Sequence, residues 1–206
     1  MVERKLIPYD PNRLPPEKAD LQIDGVDSDF SGITARSGFA GVERMMVERD
    51  GAILFDTIKI NPSPGVFVLP VRINHQKLAE YLLVNEWKDK LGKRITQIPQ
   101  GRVNNGETET EAAKREVREE TGHEPFGLVL VGRQVFDSAY MSKEQPFYLA
   151  LVPYGQERQD LELEGGEDIE KLSWMRPEEV RKLPIIDGKT TIGIALAEKV
   201  LNPNLL

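Results

Sequence analysis

GRVNNGETETEAAKREVREETGH, residues 101–123, specifies both ends of a helix and an unusual charge pattern between them. Thr108 stands three positions before Glu111, a capping box in which hydroxyl and carboxylate each satisfy an orphan backbone N–H. Gly122 closes the segment with the residue type suited to a left-handed C-cap. Between these ends Glu116, Glu119 and Glu120 follow the spacing i, i+3, i+4. At about 100° per residue they share one stripe of the helix. A solvated acidic face is the ordinary explanation of such a stripe. The neighbours argue otherwise: Ala112 falls inside the glutamate arc, Ala113 and Val117 lie beside it, and Lys114 and Arg118 point away. The glutamates therefore border the inward-facing apolar stripe. Carboxylates beside a core need a partner, and a hard divalent cation is the natural one. The chain has no cysteine and two histidines, so magnesium or manganese is favoured over zinc.

With Gly101 and Glu107 included, the segment reads Gly-x5-Glu-x7-Arg-Glu-Val-x-Glu-Glu-x-Gly. This pattern resembles the Nudix box at every fixed position. The aliphatic residue usual after the last glycine is replaced by His123, at a position that mainly packs. The resemblance implies an α/β/α sandwich with a mixed sheet, within the α/β or α+β class. It implies that Glu116, Glu119 and Glu120 hold Mg2+ (or Mn2+), with the main-chain carbonyl of Gln100 as a further ligand. Arg115 would orient the cluster through ion pairs, notably with Glu107, and Gly101 would let the loop approach the helix. Bound metal polarises phosphoryl oxygens and lowers the pKa of an attacking water, so the implied reaction is hydrolysis of a phosphoanhydride by in-line displacement.

The flanks bear on the substrate. Ile98-Pro99-Gln100-Gly101, the predicted strand Tyr81 to Trp87 and the turn at Gly92 resemble the ADP-ribose and nucleotide-sugar pyrophosphatases. That subgroup implies a small nucleoside-diphosphate substrate and a homodimer built partly by an N-terminal arm. Three positions differ: Gln97 stands where glutamate is common, Lys88 where arginine is usual, and Ser138-Ala139-Tyr140-Met141 where a Ser-Pro-Gly pattern is expected. Lysine does not replace the planar fork of arginine. ADP-ribose and nucleoside-diphosphate sugars therefore stand together. Dinucleoside polyphosphates, nucleoside triphosphates, coenzyme A compounds and a non-cutting nucleotide sensor are the alternatives.

In related pyrophosphatases a glutamate from an acidic loop activates the water. The loop Leu161 to Ile169 offers Glu167 first and Glu164 second, and it reads equally as a solvated acidic loop. Glu119 or Glu120 is the alternative base. Lys88, Arg94, Arg102 and Arg133 are candidate phosphate contacts, and Tyr140 fits either base stacking or packing.

The whole chain, 206 residues with a net charge of −7, suits one domain with a terminal extension. The acidic balance disfavours broad nucleic-acid binding, and no apolar run approaches the roughly 20 residues of a membrane span. The first residues show no secretory signal pattern, so a cytoplasmic enzyme is the default expectation. Residues 1–41, rich in Pro and Gly turns, read as an arm, and 42–206 as the catalytic domain. Arg49-Asp50-Gly51 predicts a hairpin. Further strands are expected at Val66 to Ile73, Tyr81 to Val84, Phe126 to Phe136, Phe147 to Val152 and Glu170 to Met175. Helices are expected at Thr108 to Thr121, Pro177 to Leu183 and Lys189 to Leu201.

Overall fold

Alternation along one central strand organises the region that matters. β5 (Gly65–Ile73) is buried on both faces from Val66 to Val71, as a strand covered on both sides must be. Val66 and Val68 pack with Ala112, Ala113 and Val117 of helix α1 (Glu109–Thr121). Phe67, on the opposite face, stacks on Phe147 at 5.0 Å between ring centroids. Helix α3 (Gly188–Leu201) lies on that second face and turns Thr190, Gly193 and Ala197 inward. A Cβ at Gly193 would come within 2.7 Å of Ile98 Cδ1, so the close helix–sheet approach needs glycine there. The sheet is thus sandwiched between helices, as the resemblance implies.

The computed structural model describes residues 5–8, 10–13, 35–36, 40–157, 159–161, 163, 168–171, 173–185 and 187–201. The chain divides into two compact units. One comprises residues 1–63 and 135–143, the other 64–134 and 144–206. In the first, β3 (Ala40–Arg49) is flanked by β1 (Lys5–Pro8), β2 (Ala35–Arg36) and β4 (Ala52–Pro62), all antiparallel to it. The β3–β4 hairpin turns at Asp50 and Gly51, whose φ of 54° and 79° are the positive values a type I′ turn requires. Most of the expected N-terminal arm lies outside the described residues.

In the second unit β5 pairs in parallel with β11 (Gln145–Leu151), which pairs antiparallel with β10 (Gly127–Gln134). On its other side β5 pairs antiparallel with β6 (Ala79–Tyr81) and β9 (Gln100–Arg102). A smaller sheet joins β7 (Val84–Lys88) to β8 (Lys93–Gln97) and β12 (Ile169–Lys171). Helix α2 (Pro177–Val180) begins on its proline. Among the described residues no helix is long and apolar enough to cross a membrane.

The expected strand Tyr81 to Val84 is two strands. Tyr81 exchanges hydrogen bonds with Met175 (2.7 and 2.9 Å) and Leu82 N donates to Pro70 O, so the chain leaves one sheet there and enters the other at Val84. The strand expected from Glu170 to Met175 is β12 alone, with Met175 forming an isolated bridge to Tyr81. The strand expected from Phe126 to Phe136 is β10, Gly127–Gln134, and the residues that follow it, 135–143, are grouped with the first unit.

Candidate functional site

Each piece of the site is placed by local chemistry. β9 is held antiparallel to the start of β5, with Gly101 opposite Val66 and Gln100 opposite Phe67. Val103 N donates to Pro64 O and Glu107 N to Asn104 O, which closes the loop before α1. The capping box forms: Glu111 N donates to Thr108 Oγ1 (3.2 Å) and Thr108 N to Glu111 Oε2 (2.8 Å). At the far end Gly122 takes φ 69° and its N–H returns to Arg118 O. His123 is buried and meets Trp174 edge to face, the packing role expected of that position.

Glu116 and Glu120 are 6% and 2% exposed. The glutamate stripe therefore does border the core. The carboxylate of Glu116 lies directly over Gly101, where a Cβ would stand 1.8 Å from Oε1. Gln100 N approaches Glu120 Oε1 at 3.4 Å, so the peptide before Gly101 faces the same carboxylates.

Arg115 uses all five of its N–H donors. Nε and Nη2 grip the two oxygens of Glu107 at 2.8 and 3.1 Å. Nη1 donates to Glu116 Oε1 and to Glu119 Oε2, both at 2.8 Å, and Nη2 also donates to Arg102 O at 2.7 Å. The guanidinium beside Glu107 holds that carboxyl below the usual range. The same bond raises the pKa of Arg115, with burial opposing it. One positive charge here faces three negatives. Among the described residues the carboxylates do not yet converge on a single point, since Arg115 Nη1 lies between Glu116 and Glu119. The donor set consists of oxygens alone and a cradle of glycine backbone lies against it, which suits a hard divalent cation.

The other expected residues fall in different places. Lys88 Nζ bonds Glu86 Oε1 at 2.5 Å. Arg94 binds Asp168 at 2.6 Å and Glu170 at 3.2 Å, tying β8 to the start of β12. Arg133 forks onto Glu109 (3.0 and 2.5 Å), which also accepts from Tyr148. Arg102 supplies its carbonyl to Arg115. Tyr140 belongs to the first unit and is half exposed. Glu164 and Glu167 lie outside the described residues.

Two supports escaped the sequence reading. Thr190 Oγ1 accepts from Ile98 N (3.0 Å) and donates to Asp187 Oδ2 (2.7 Å), pinning the start of α3 to the connection between β8 and β9 that leads into Gln100. A side-chain hydrogen-bond chain also runs from Glu86 through Gln97 to Gln100. The one hint in the sequence was Gln97 itself, a buried polar residue in place of a charged one.

A family model of the NUDIX domain matches residues 61–192. The chain belongs to the NUDIX family. Nudix hydrolase 10 of Arabidopsis thaliana is 33% identical over 132 residues, covering 63% of this chain and 43% of that protein. Nudix hydrolase 2 of the same plant is 34% identical over 136 residues, covering 65% and 46%. This NUDIX chain thus spans less than half the length of the curated relatives it matches. A solved structure described as the crystal structure of ADP compounds hydrolase superposes with a TM-score of 0.64 at 19% identity. It covers 84% of the NUDIX chain and 93% of its own, a likeness of fold.

Proposed function

We propose that the chain is a divalent-metal-dependent pyrophosphohydrolase. It cleaves the diphosphate of ADP-ribose or a nucleoside-diphosphate sugar to a nucleoside monophosphate and a sugar phosphate. The observation that carries this reading is the fit of Glu116 over Gly101, with Glu119 and Glu120 on the same stripe. Such a cradle has no use on a merely solvated acidic face. The fold neighbour described as an ADP compounds hydrolase supports a substrate of that class.

In this reading Glu116, Glu119, Glu120 and the Gln100 carbonyl hold Mg2+, with Mn2+ as a substitute. The metal, when bound, polarises the phosphoryl oxygens and acidifies water. Arg115 fixes the carboxylates in position from behind. Water oxygen attacks one phosphorus, the bond to the bridging oxygen breaks, and the other phosphate leaves. The water proton passes to a carboxylate, for which Glu167 is the first candidate and Glu164 the second, with Glu119 or Glu120 the alternative. Lys88, Arg94, Arg102, Arg133 and Tyr140 remain the candidate substrate contacts. Arg94 and Arg133 would have to exchange a carboxylate partner for phosphate.

A homodimer fits the small core of the first unit, where Met46 and Ile53 are the described buried pair. Sedimentation of the purified chain tests it: a concentration-independent monomer excludes the dimer. The catalytic reading is tested with ADP-ribose, nucleotide sugars, dinucleotides and nucleoside triphosphates, with magnesium, products identified by mass. Nucleoside monophosphate plus sugar phosphate is expected, with Glu119→Gln slower by orders of magnitude. Inorganic pyrophosphate from triphosphates would point to the alternative substrate class. Tight binding without cleavage of any compound would make the chain a sensor.

A further inference from the structure

Glu109 stands on the same stripe of α1 as Glu116 and Glu120. At about 100° per residue it falls within about 20° of both, roughly 10 Å before Glu116 along the helix. Both of its oxygens are engaged. Arg133 Nη1 and Nη2 fork onto them at 3.0 and 2.5 Å, and the Tyr148 hydroxyl donates to Oε2 at 3.1 Å. The guanidinium holds the Glu109 carboxyl below the usual range, so the group stays ionised and can only accept. The Arg133 and Glu109 side chains are 39% and 35% exposed, and a pair so open to water adds little stability. What a bidentate fork supplies is direction.

The strands give that direction a use. Arg133 lies on β10 and Tyr148 on β11, to one side of β5, whereas Gly101 lies on β9, to the other. Helix α1 therefore crosses the central strand, with Ala112, Ala113 and Val117 resting on Val66 and Val68. Apolar packing is non-directional, so this middle contact holds the helix down without fixing its rotation. Toward one end Glu109 is clamped to β10 and β11. Two turns on, Glu116 has to settle over Gly101, where a Cβ would stand 1.8 Å from its Oε1. A turn of about 10° would carry a carboxylate lying about 6 Å from the helix axis through about 1 Å. Metal–ligand distances tolerate only about 0.2 Å.

We propose that Arg133 and Tyr148, acting through Glu109, are positioning residues that set the rotation of α1 and so deliver Glu116, Glu119 and Glu120 to their cation. The purpose of the clamp rests on the metal-dependent hydrolase reading; its geometry does not. Arg133 then holds the helix instead of a substrate phosphate, since an arginine that left Glu109 for phosphate would release α1. Charge makes the sign of the effect decisive. Arg133→Met deletes a positive charge from the neighbourhood of the carboxylates, and electrostatics alone would tighten cation binding. Lost positioning weakens it.

The first measurement needs no metal. In the intact chain the Gly101 amide resonance reports on the carboxylate that lies over this residue. It is expected to shift in Arg133→Met and, with no change of charge, in Tyr148→Phe. Arg181→Met is the control, because it breaks a comparable fork from the end of α2 onto Glu198 of α3 (3.1 and 2.8 Å). An unmoved Gly101 signal in Arg133→Met, or an equal shift in Arg181→Met, overturns the proposal. The second measurement is Mn2+ affinity by calorimetry without substrate. Arg133→Met is expected to weaken it about tenfold, the low end for groups that support a metal ligand from behind, and Tyr148→Phe about threefold. Arg133→Lys should recover part of the loss. Unchanged or tighter binding in Arg133→Met overturns the proposal. So does a raised KM for nucleotide sugars with Mn2+ affinity intact, which would make Arg133 a substrate contact. A native chain that binds no Mn2+, or cleaves no compound when loaded with it, sinks the hydrolase reading alone, and the Gly101 signal still decides the clamp.

Discussion

Gly101 and Glu116 occupy adjoining space so completely that a single methyl group would displace the glutamate: the missing Cβ would lie 1.8 Å from Oε1 and 2.1 Å from Cδ. The atoms in the way are the far end of a flexible side chain, so Gly101→Ala has an inexpensive escape. Glu116 swings aside, and its bond to Arg115 is strained or lost. Unfolding free energy is expected to fall by only about 1–2 kcal/mol, one weakened hydrogen bond with a charged group. Magnesium-dependent turnover is expected to fall about a hundredfold, as for a ligand displaced by about an ångström. Denaturant melts and single-substrate kinetics separate the two effects. Full activity in the variant would mean that the Glu116 carboxylate holds no metal.

Arg115 is the hub of the cluster, and its loss leaves Glu107, Glu116 and Glu119 facing one another in partly buried positions. Arg115→Ala is expected to destabilise the fold by about 3 kcal/mol, in the range for breaking a buried ion pair from one side. Arg115→Lys should recover little, since an ammonium cannot reproduce the five-donor fork. A pH signature identifies the Glu107 part. Its folded pKa is depressed chiefly by the Arg115 hydrogen bond, so its stabilisation is complete above the unfolded value of about 4.3 and is lost as pH falls through the folded one. Urea midpoints between about pH 3 and 6 should therefore slope more steeply in the native chain than in Arg115→Ala. Identical slopes would remove this ion pair from the account.

The helix of the glutamates was legible because everything that defines it is local. Thr108, Glu111, Gly122 and the three glutamates lie within one segment, and caps and stripe need no distant partner. The break after Tyr81 was not legible, because Tyr81-Leu82-Leu83-Val84 is uniformly apolar and fully buried. Only Met175, far along the chain, decides where one strand stops. The carboxylate partners of Arg94 and Arg133 were not legible for the same reason: Asp168 and Glu109 are remote from them in sequence.

Thr190 ties helix α3 to the segment between β8 and β9 through one hydroxyl that accepts from Ile98 N and donates to Asp187. Thr190→Val keeps the shape and removes both bonds, leaving the Ile98 N–H buried without an acceptor. A loss of about 1–3 kcal/mol is expected, the cost of one orphaned buried donor. The Ile98 amide should exchange faster with deuterium than in the native chain, and KM should rise because Gln100 follows two residues later. Unchanged exchange at Ile98 would show that the hydroxyl does not hold this segment.

Gln97 departs from the glutamate common at its position, and the hairpin shows what compensates. In the β7–β8 register Gln97 lies opposite Val84 and diagonal to Glu86, whose carboxylate it meets at 2.5 Å. The negative charge is supplied from across the hairpin. Gln97→Glu would set two carboxylates against each other where Gln97 is 1% exposed. One of them would have to hold a proton at neutral pH, at a cost of about 2–3 kcal/mol. Glu86→Gln alone leaves Lys88 without its described partner and removes the acceptor that orients both glutamines. The double variant Glu86→Gln with Gln97→Glu restores one carboxylate and one amide, with the charge on the opposite strand. Its stability is expected to recover to within about 1 kcal/mol of the native chain, giving a coupling energy of opposite sign to the two single losses. Additive losses in this cycle, measured by urea unfolding at neutral pH, would mean that the two side chains do not share a hydrogen bond.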